Sequence, residues 1–241
     1  MGTDETDNVK YRDETVLVFA RAPVPGRIKT RLAPEVSGDR ITDLYKCFVA
    51  DILSMLLDAG HPVWICHDPP EAGPVMRAWL GDHLAYQPQI GKDLGEKMAN
   101  AFATVFAAGI KKAVLIGTDA PDLPSGYISR AFSALSEHDA VIGPAIDGGY
   151  YLIGFRADSF RTAIFENIPW STPGVYAATI DRLSSSRSRV YLLPQWRDID
   201  HYSDLCALAD LLVRGETAAP ATAAFIAKTG MCRDAKIGKS A

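Results

Sequence analysis

Apolar and polar positions along the chain alternate between two periods, and the switches divide it into short elements. The run 16–20 (VLVFA) is continuously apolar and predicts a strand buried on both faces. Ile41, Leu44, Tyr45, Phe48, Ile52 and Leu56 recur at helical spacing and predict an amphipathic helix over 40–59, ended by Gly60. The same reasoning predicts strands over 62–67, 84–87, 113–117, 140–143, 150–155 and 190–193. It predicts helices over 75–80, 94–108, 125–135, 172–183 and 202–213, and one near 221–228. Strands and helices alternate without an internal repeat or a Pro/Ser-rich linker. That argues for an α/β sandwich with a mainly parallel sheet. Residues 1–14 read as a disordered lead-in, 15–214 as a single domain and 215–241 as a C-terminal extension.

The first strand runs straight into a basic loop. Arg21, Arg27, Lys29 and Arg31 place four cations in eleven residues, while Pro23, Pro25 and Gly26 argue against a helix there. Two readings compete: a phosphate-holding loop and a solvated surface loop with scattered charge. The whole chain favours the first. Its net charge is −4, so a local basic cluster on an acidic background points to a small anion rather than to a nucleic-acid polymer or an acidic membrane. The 241 residues are 48% hydrophobic and 22% charged, which suits a globular protein with a sizeable core. Cys47, Cys66, Cys206 and Cys232 contain no CxxC pair, so they read as buried thiols of a reduced, cytoplasmic protein rather than as a zinc site. The polar, acidic start is not a signal peptide, and no apolar run approaches the ~20 residues that cross a bilayer.

Four further segments carry chemistry. Asp119 follows the buried run 113–117 directly and suits a hard cation such as Mg²⁺, whereas Asp122 and Ser125 read more simply as caps of the next helix. In Trp196-Arg197-Asp198-Ile199-Asp200 the two carboxylates share a side if the stretch is extended. One of them completes a metal site with Asp119, or Asp200 caps the following helix; both readings stand. Asp147-Gly148-Gly149 is either a ligand loop or a plain hairpin turn. Ser171 or Thr172 is either a bare N-cap or part of an anion-binding helix start.

Six segments, FARAPVPGRIKTRL, QIGKDLGEKM, VLIGTDAPDLP, GPAIDGGYYLIGF, IPWSTPGVYAATI and DIDHYSDL, together resemble the GT-A nucleotide-diphospho-sugar transferase superfamily. The branch they resemble most is the one beside phospholactate guanylyltransferase and the molybdenum-cofactor nucleotidyltransferases. The likeness spans about residues 15–212. It implies a three-layer α/β sandwich with a mixed, mainly parallel sheet. It implies that Ala20, Arg21, Ala22, Gly26, Lys29 and Arg31 hold nucleotide phosphates. Gln89, Leu94 and Gly95 would lie near the base. Asp119, with Asp200 or Asp198, would bind Mg²⁺ or Mn²⁺. Asp147, Gly148, Gly149, Trp170 and Ser171 would border an acceptor pocket. The chain departs from the superfamily in having prolines for the usual loop glycines, and Thr118-Asp119-Ala120 in place of Asp-x-Asp.

The leading expectation is Mg-dependent nucleotidyl transfer from a nucleoside triphosphate to a small phosphorylated or hydroxylated acceptor, with Lys29, Arg31 and Asp119 as its catalytic groups. The alternatives are glycosyl transfer from a nucleotide sugar, and a silent nucleotide-binding module. A P-loop, a GxGxxG fingerprint and a GxSxG elbow are all absent from the sequence. The five histidines are scattered and read as surface or core residues.

Overall fold

A computed structural model of the chain describes residues 13–232; the expected lead-in lies, up to residue 12, outside them. Among the described residues there are seven strands: β1 (Glu14–Arg21), β2 (Val63–Asp68), β3 (Ala85–Pro88), β4 (Lys112–Ile116), β5 (Ala140–Pro144), β6 (Tyr150–Arg156) and β7 (Val190–Leu192). They form one sheet in the order β3-β2-β1-β4-β6-β5-β7. β6 runs antiparallel to β4 and β5, and the other pairings are parallel. The helices are α1 (Gly38–Asp58), α2 (Gly73–Leu80), α3 (Leu94–Ala107), α4 (Ser125–Ala134), α5 (Val175–Ser185), α6 (Tyr202–Arg214) and α7 (Pro220–Thr229).

Each predicted element is present with its ends shifted by a few residues. The largest shift is at α5, which starts at Val175. Thr172 does not cap it. Its hydroxyl donates to Pro169 O at 2.7 Å and accepts from Gly174 N at 3.2 Å, closing a tight turn before the helix. Three short 3-10 turns, Thr30–Leu32, Pro70–Ala72 and Thr162–Phe165, have no periodic signal in the sequence.

The chain divides into two compact units. The first comprises Met1–Ala22, Leu56–Gly117 and Pro124–Arg197 and contains the whole sheet. Alternation along each strand gives the sheet two apolar faces. On one, Leu17, Leu115, Ile142, Ile153 and Phe155 share a core with Met98, Phe102 and Val105 of α3, Phe165, and Leu183 of α5. Phe102 meets Phe155 edge-on, with ring centroids 5.1 Å apart. Each such side chain contributes about 1.5–3 kcal/mol when fully buried. On the other face Val114 and Val141 are fully buried, and α4, with Ile128 and Phe132 buried, packs against β4 and β5. The result is a helix–sheet–helix, three-layer α/β architecture.

The second unit comprises Pro23–Met55, Thr118–Leu123 and Asp198–Ala241. Buried side-chain bonds join its three segments. Asp51 on α1 accepts from Ala221 N (2.7 Å), Thr222 N (2.9 Å) and Thr222 Oγ1 (2.6 Å), and so satisfies the open amides at the start of α7. Asp122 does not cap α4, whose N-cap is Pro124; its buried carboxylate accepts from Thr217 Oγ1 at 2.9 Å. Thr118 Oγ1 donates to Tyr45 OH at 3.4 Å.

β1 and β4 are parallel neighbours, and chain direction reverses about them in the sheet order. The segments that follow both strands enter the second unit. In open α/β sheets the carboxyl ends of strands at such a switch point are where ligands bind.

Candidate functional site

The loop after β1 is anchored by two buried apolar residues, Ile28 and Leu32, which leave Lys29 between them. Lys29 is left-handed (φ 44°, ψ 42°), a conformation that costs a non-glycine residue about 1–2 kcal/mol. Its carbonyl accepts from Leu32 N at 2.9 Å and opens the turn Thr30–Leu32. The Lys29 side chain is only 6% exposed. A buried ammonium requires partners. Nζ lies 2.6 Å from Asp119 Oδ1 and 3.2 Å from Asp200 Oδ1, and it donates to Ile199 O at 2.5 Å. The Phe48 ring faces it at 5.7 Å.

Asp200 sits between two cations. Its Oδ1 faces Lys29, and its Oδ2 accepts from Arg31 NH1 at 2.7 Å. Arg31 is 62% exposed, Asp119 49% and Asp200 30%, so the cluster has a dry floor at Lys29 and a wet rim. Ile199 N donates to Asp119 O at 2.8 Å, which holds the two acidic segments in register. Asp200 is not the cap of α6. His201 is the N-cap, and Asp204, in the first turn, reaches back to accept from the amides of Asp200 (3.1 Å) and His201 (2.7 Å). That frees the Asp200 carboxylate for Lys29 and Arg31. Asp198 is half-buried, two residues before Asp200.

The oxygens of Asp119, Asp200 and Ile199 all converge on one cation, the Lys29 ammonium. An all-oxygen set with two carboxylates is the donor chemistry that Mg²⁺ and Mn²⁺ take. The residues fit a divalent ion.

Apart from Gly26, the remaining expected residues lie in the first unit, where they form two groups. In the first group, sheet register places Arg21 opposite Asp68, with Nε 3.9 Å from Oδ2. Lys97 on α3 reaches the same carboxylate at 2.8 Å. Asp68 and Lys97 were not singled out in the sequence: an Asp before Pro69 looks like a turn residue, and only the pairing of β1 with β2 shows its partner. Ala20 and Ala22 are buried, and Ala22 N donates to Asp68 O at 2.8 Å. Gln89 is buried, with its amide donating to Cys66 O at 2.7 Å. Leu94 is exposed at the start of α3, whose first turn Asp93 caps through Glu96 N at 2.8 Å.

The second group joins the Asp147 and Trp170 segments. A Cβ on Gly95 would stand 2.7 Å from Phe165 O and 2.8 Å from the Trp170 ring, so the first turn of α3 can pack on Trp170 only as glycine. Gly148 (φ 92°) likewise presses against the Pro173 backbone, and its carbonyl accepts from Tyr176 N at 2.9 Å. Asp147 Oδ1 accepts from Gly149 N at 2.9 Å. Ser171 is left-handed (φ 65°). Gly26 belongs to the second unit and has open space around it, so its positive φ of 77°, not a close approach, calls for glycine. No helix among the described residues is long and apolar enough to cross a membrane.

This architecture is the nucleotide-diphospho-sugar transferase fold. The family model described as "Uncharacterized protein conserved in bacteria (DUF2064)" matches residues 52–172, and the chain belongs to that family. It is 36% identical to a candidate nucleotide-diphospho-sugar transferase from Desulfovibrio desulfuricans G20, with a TM-score of 0.86 over 92% of this chain and 97% of that one. More distant structures share the fold. One is CMP:2-keto-3-deoxy-manno-octonic acid synthetase complexed with CTP (12% identity, TM-score 0.50, covering 84% of this chain and 99% of that one). Another is Rv0371C from Mycobacterium tuberculosis H37Rv in complex with manganese (16% identity, TM-score 0.50, covering 82% and 98%). No curated protein matches the chain.

Proposed function

We propose that the chain is a nucleotidyltransferase, moving a nucleotidyl group from a nucleoside triphosphate to a small phosphorylated or hydroxylated acceptor. The convergence of Lys29, Arg31, Asp119 and Asp200 carries this reading. Cations on the loop after β1, with one carboxylate after β4 and one after β7, are what a bound triphosphate and its counter-ion need. Two cations face two carboxylates, so the site is nominally neutral until a ligand arrives.

Arg31, at the exposed rim, presents a planar donor fork to phosphate oxygens. Lys29 exchanges a carboxylate for a phosphate oxygen and steadies the pyrophosphate as it leaves. Asp119 and Asp200 hold Mg²⁺ or Mn²⁺, whose contribution when bound is to offset charge on the phosphate oxygens. The acceptor is positioned rather than activated: an ionised phosphate needs no general base. In the first unit we assign base contacts to Gln89, Leu94 and Gly95 and acceptor contacts to Asp147, Trp170 and Ser171, following the sequence resemblance.

Three comparisons support the reading: the description of the Desulfovibrio relative, CTP in one structure of this fold and manganese in another. Thr118-Asp119-Ala120, in place of Asp-x-Asp, favours nucleotidyl over glycosyl transfer. We place the protein in the cytoplasm, acting on small molecules rather than on nucleic acid or membrane.

The test is incubation with labelled nucleoside triphosphates and with nucleotide sugars, with and without Mg²⁺. Pyrophosphate release supports the proposal. Nucleoside diphosphate release from a nucleotide sugar replaces it with glycosyl transfer. Nucleotide-induced stabilisation without turnover of any donor replaces it with a silent binding module. Asp119→Asn should still fold, with a cooperative melting transition, and lose metal-dependent turnover; unchanged turnover refutes the metal assignment.

A further inference from the structure

We propose that a two-compartment groove at the amino end of the sheet binds a soluble phosphorylated polyol, such as a sugar phosphate. Glu14 opens β1, Lys112 opens β4, and Arg156 ends the antiparallel β6. Register sets the three in one row, Glu14 beside Lys112 and Lys112 beside Arg156. The segments that carry Lys29 and Asp119 leave β1 and β4 at their other, carboxyl ends.

One compartment has a volume of about 440 Å³, with Glu14, His61, Lys112, Ser129, Ser133 and Ser136 among its walls. The other, of about 650 Å³, includes Lys111, Lys112, Leu135, Ser136, Arg156 and Asp158. Lys112 and Ser136 belong to both. Lys112 Nζ donates to Ser136 Oγ at 3.0 Å, so the compartments meet at that bond.

The first compartment is matched to hydroxyl groups. Its ammonium and carboxylate balance one another, with Lys112 Nζ 3.2 Å from Glu14 Oε1. Three serine hydroxyls, each able to donate and accept, make up much of the remaining polar wall. Ser133 Oγ donates to Ser129 O at 3.0 Å and keeps its acceptor capacity. The His61 ring lies against Phe132, with centroids 5.4 Å apart, and gives the compartment an aromatic side. A bare anion here would meet Glu14, and an apolar ligand would strip water from the hydroxyls without replacing it. A neutral polyol does neither.

The second compartment is matched to an anion. Lys111, Lys112 and Arg156 face one carboxylate, Asp158. Arg156 commits Nε (3.0 Å) and NH2 (2.5 Å) to that carboxylate, and NH1 stays outside the pair. Lys111 is exposed, but its backbone is fixed: its N donates to Asp13 O and its O accepts from Ala157 N, both at 2.8 Å. On a chain of net charge −4, a local excess of cations attracts a phosphate, whose several oxygens can engage all three. A ligand that fills both compartments therefore carries hydroxyls at one end and a phosphate at the other.

The site stands independently of the nucleotidyl-transfer reading, and its test reads binding alone. The full chain is titrated calorimetrically with glucose 6-phosphate, ribose 5-phosphate and glycerol 3-phosphate, each beside its unphosphorylated polyol and inorganic phosphate. At least one phosphorylated polyol should bind one per chain, ~10-fold or more tighter than either of its parts. Lys111→Gln with Arg156→Gln should lower that affinity to the level of the polyol. Ser129→Ala with Ser133→Ala should lower it to the level of phosphate. Lys111→Gln alone, a change at an exposed side chain, should weaken binding in the same direction as the double variant. Lys29→Met should bind the same ligand as the wild type does. Phosphorylated polyols that bind no tighter than phosphate, wild-type affinity in either double variant or in Lys111→Gln, or loss of binding in Lys29→Met would each overturn the proposal.

Discussion

Replacing Lys29 by Met removes one ammonium and keeps most of the apolar stem beside Phe48. The loss is therefore electrostatic. It comprises a charge 2.6 Å from Asp119 Oδ1 and 3.2 Å from Asp200 Oδ1, and the donor to Ile199 O. Breaking a fully buried ion pair costs about 3–5 kcal/mol. Here Asp119 is half exposed and Asp200 keeps Arg31, so solvent and the second cation reduce the cost to about 1–2 kcal/mol. For a chain of this size that is roughly 2–8 °C in Tm. Urea unfolding of wild type, Lys29→Met, Asp119→Asn and the double variant isolates the pair, with an expected coupling of about 1 kcal/mol. Coupling within ~0.3 kcal/mol of zero would show that the carboxylate does not hold the ammonium in place. The functional arm is separate. Calorimetric titration with pyrophosphate should show binding weakened by roughly 1–3 kcal/mol in Lys29→Met. A stability loss with unchanged pyrophosphate affinity would leave the ion pair standing and remove Lys29 from phosphate binding.

Two other carboxylates make independent predictions. Asp51→Ala strips the acceptor from Ala221 N, Thr222 N and Thr222 Oγ1, and should lower stability by about 2–4 kcal/mol; an unmoved urea midpoint would refute the role given to that buried group. Asp139 accepts from Arg189 N at 2.9 Å, and that backbone bond, followed by the Arg189 side chain, holds its carboxyl below the ordinary 3.8. A depressed folded-state value means that the stabilisation is present above the unfolded value and lost as pH falls through 3.8 and below. Asp139→Asn should thus be less stable than wild type at neutral pH and converge with it as the pH falls below its depressed folded-state value. A gap that persists in denaturant titrations at the lower pH would contradict this.

The elements could be read from the chain because each spells out its own period. The stripe from Ile41 to Leu56 is wholly buried on α1, and the run 113–116 of β4 is buried on both faces. Caps were harder, because several residues in one short stretch compete for the same amides. Asp200 and Asp204 both precede or open α6, and spacing alone does not say which one turns back. The choice is made 171 and 169 residues away, where Lys29 and Arg31 offer Asp200 a stronger partner than an amide. Spacing makes Asp122 look like a cap for the same reason, and its partner, Thr217, is 95 residues away. Sheet order lies behind the acidic and basic segments: alternation predicts seven strands but is silent on β1 lying beside β4, and that adjacency sends the segments after both strands out from neighbouring positions. A short polar side chain takes the strongest partner within reach, so local sequence shows which residues are able to act, and only long-range pairing decides on what.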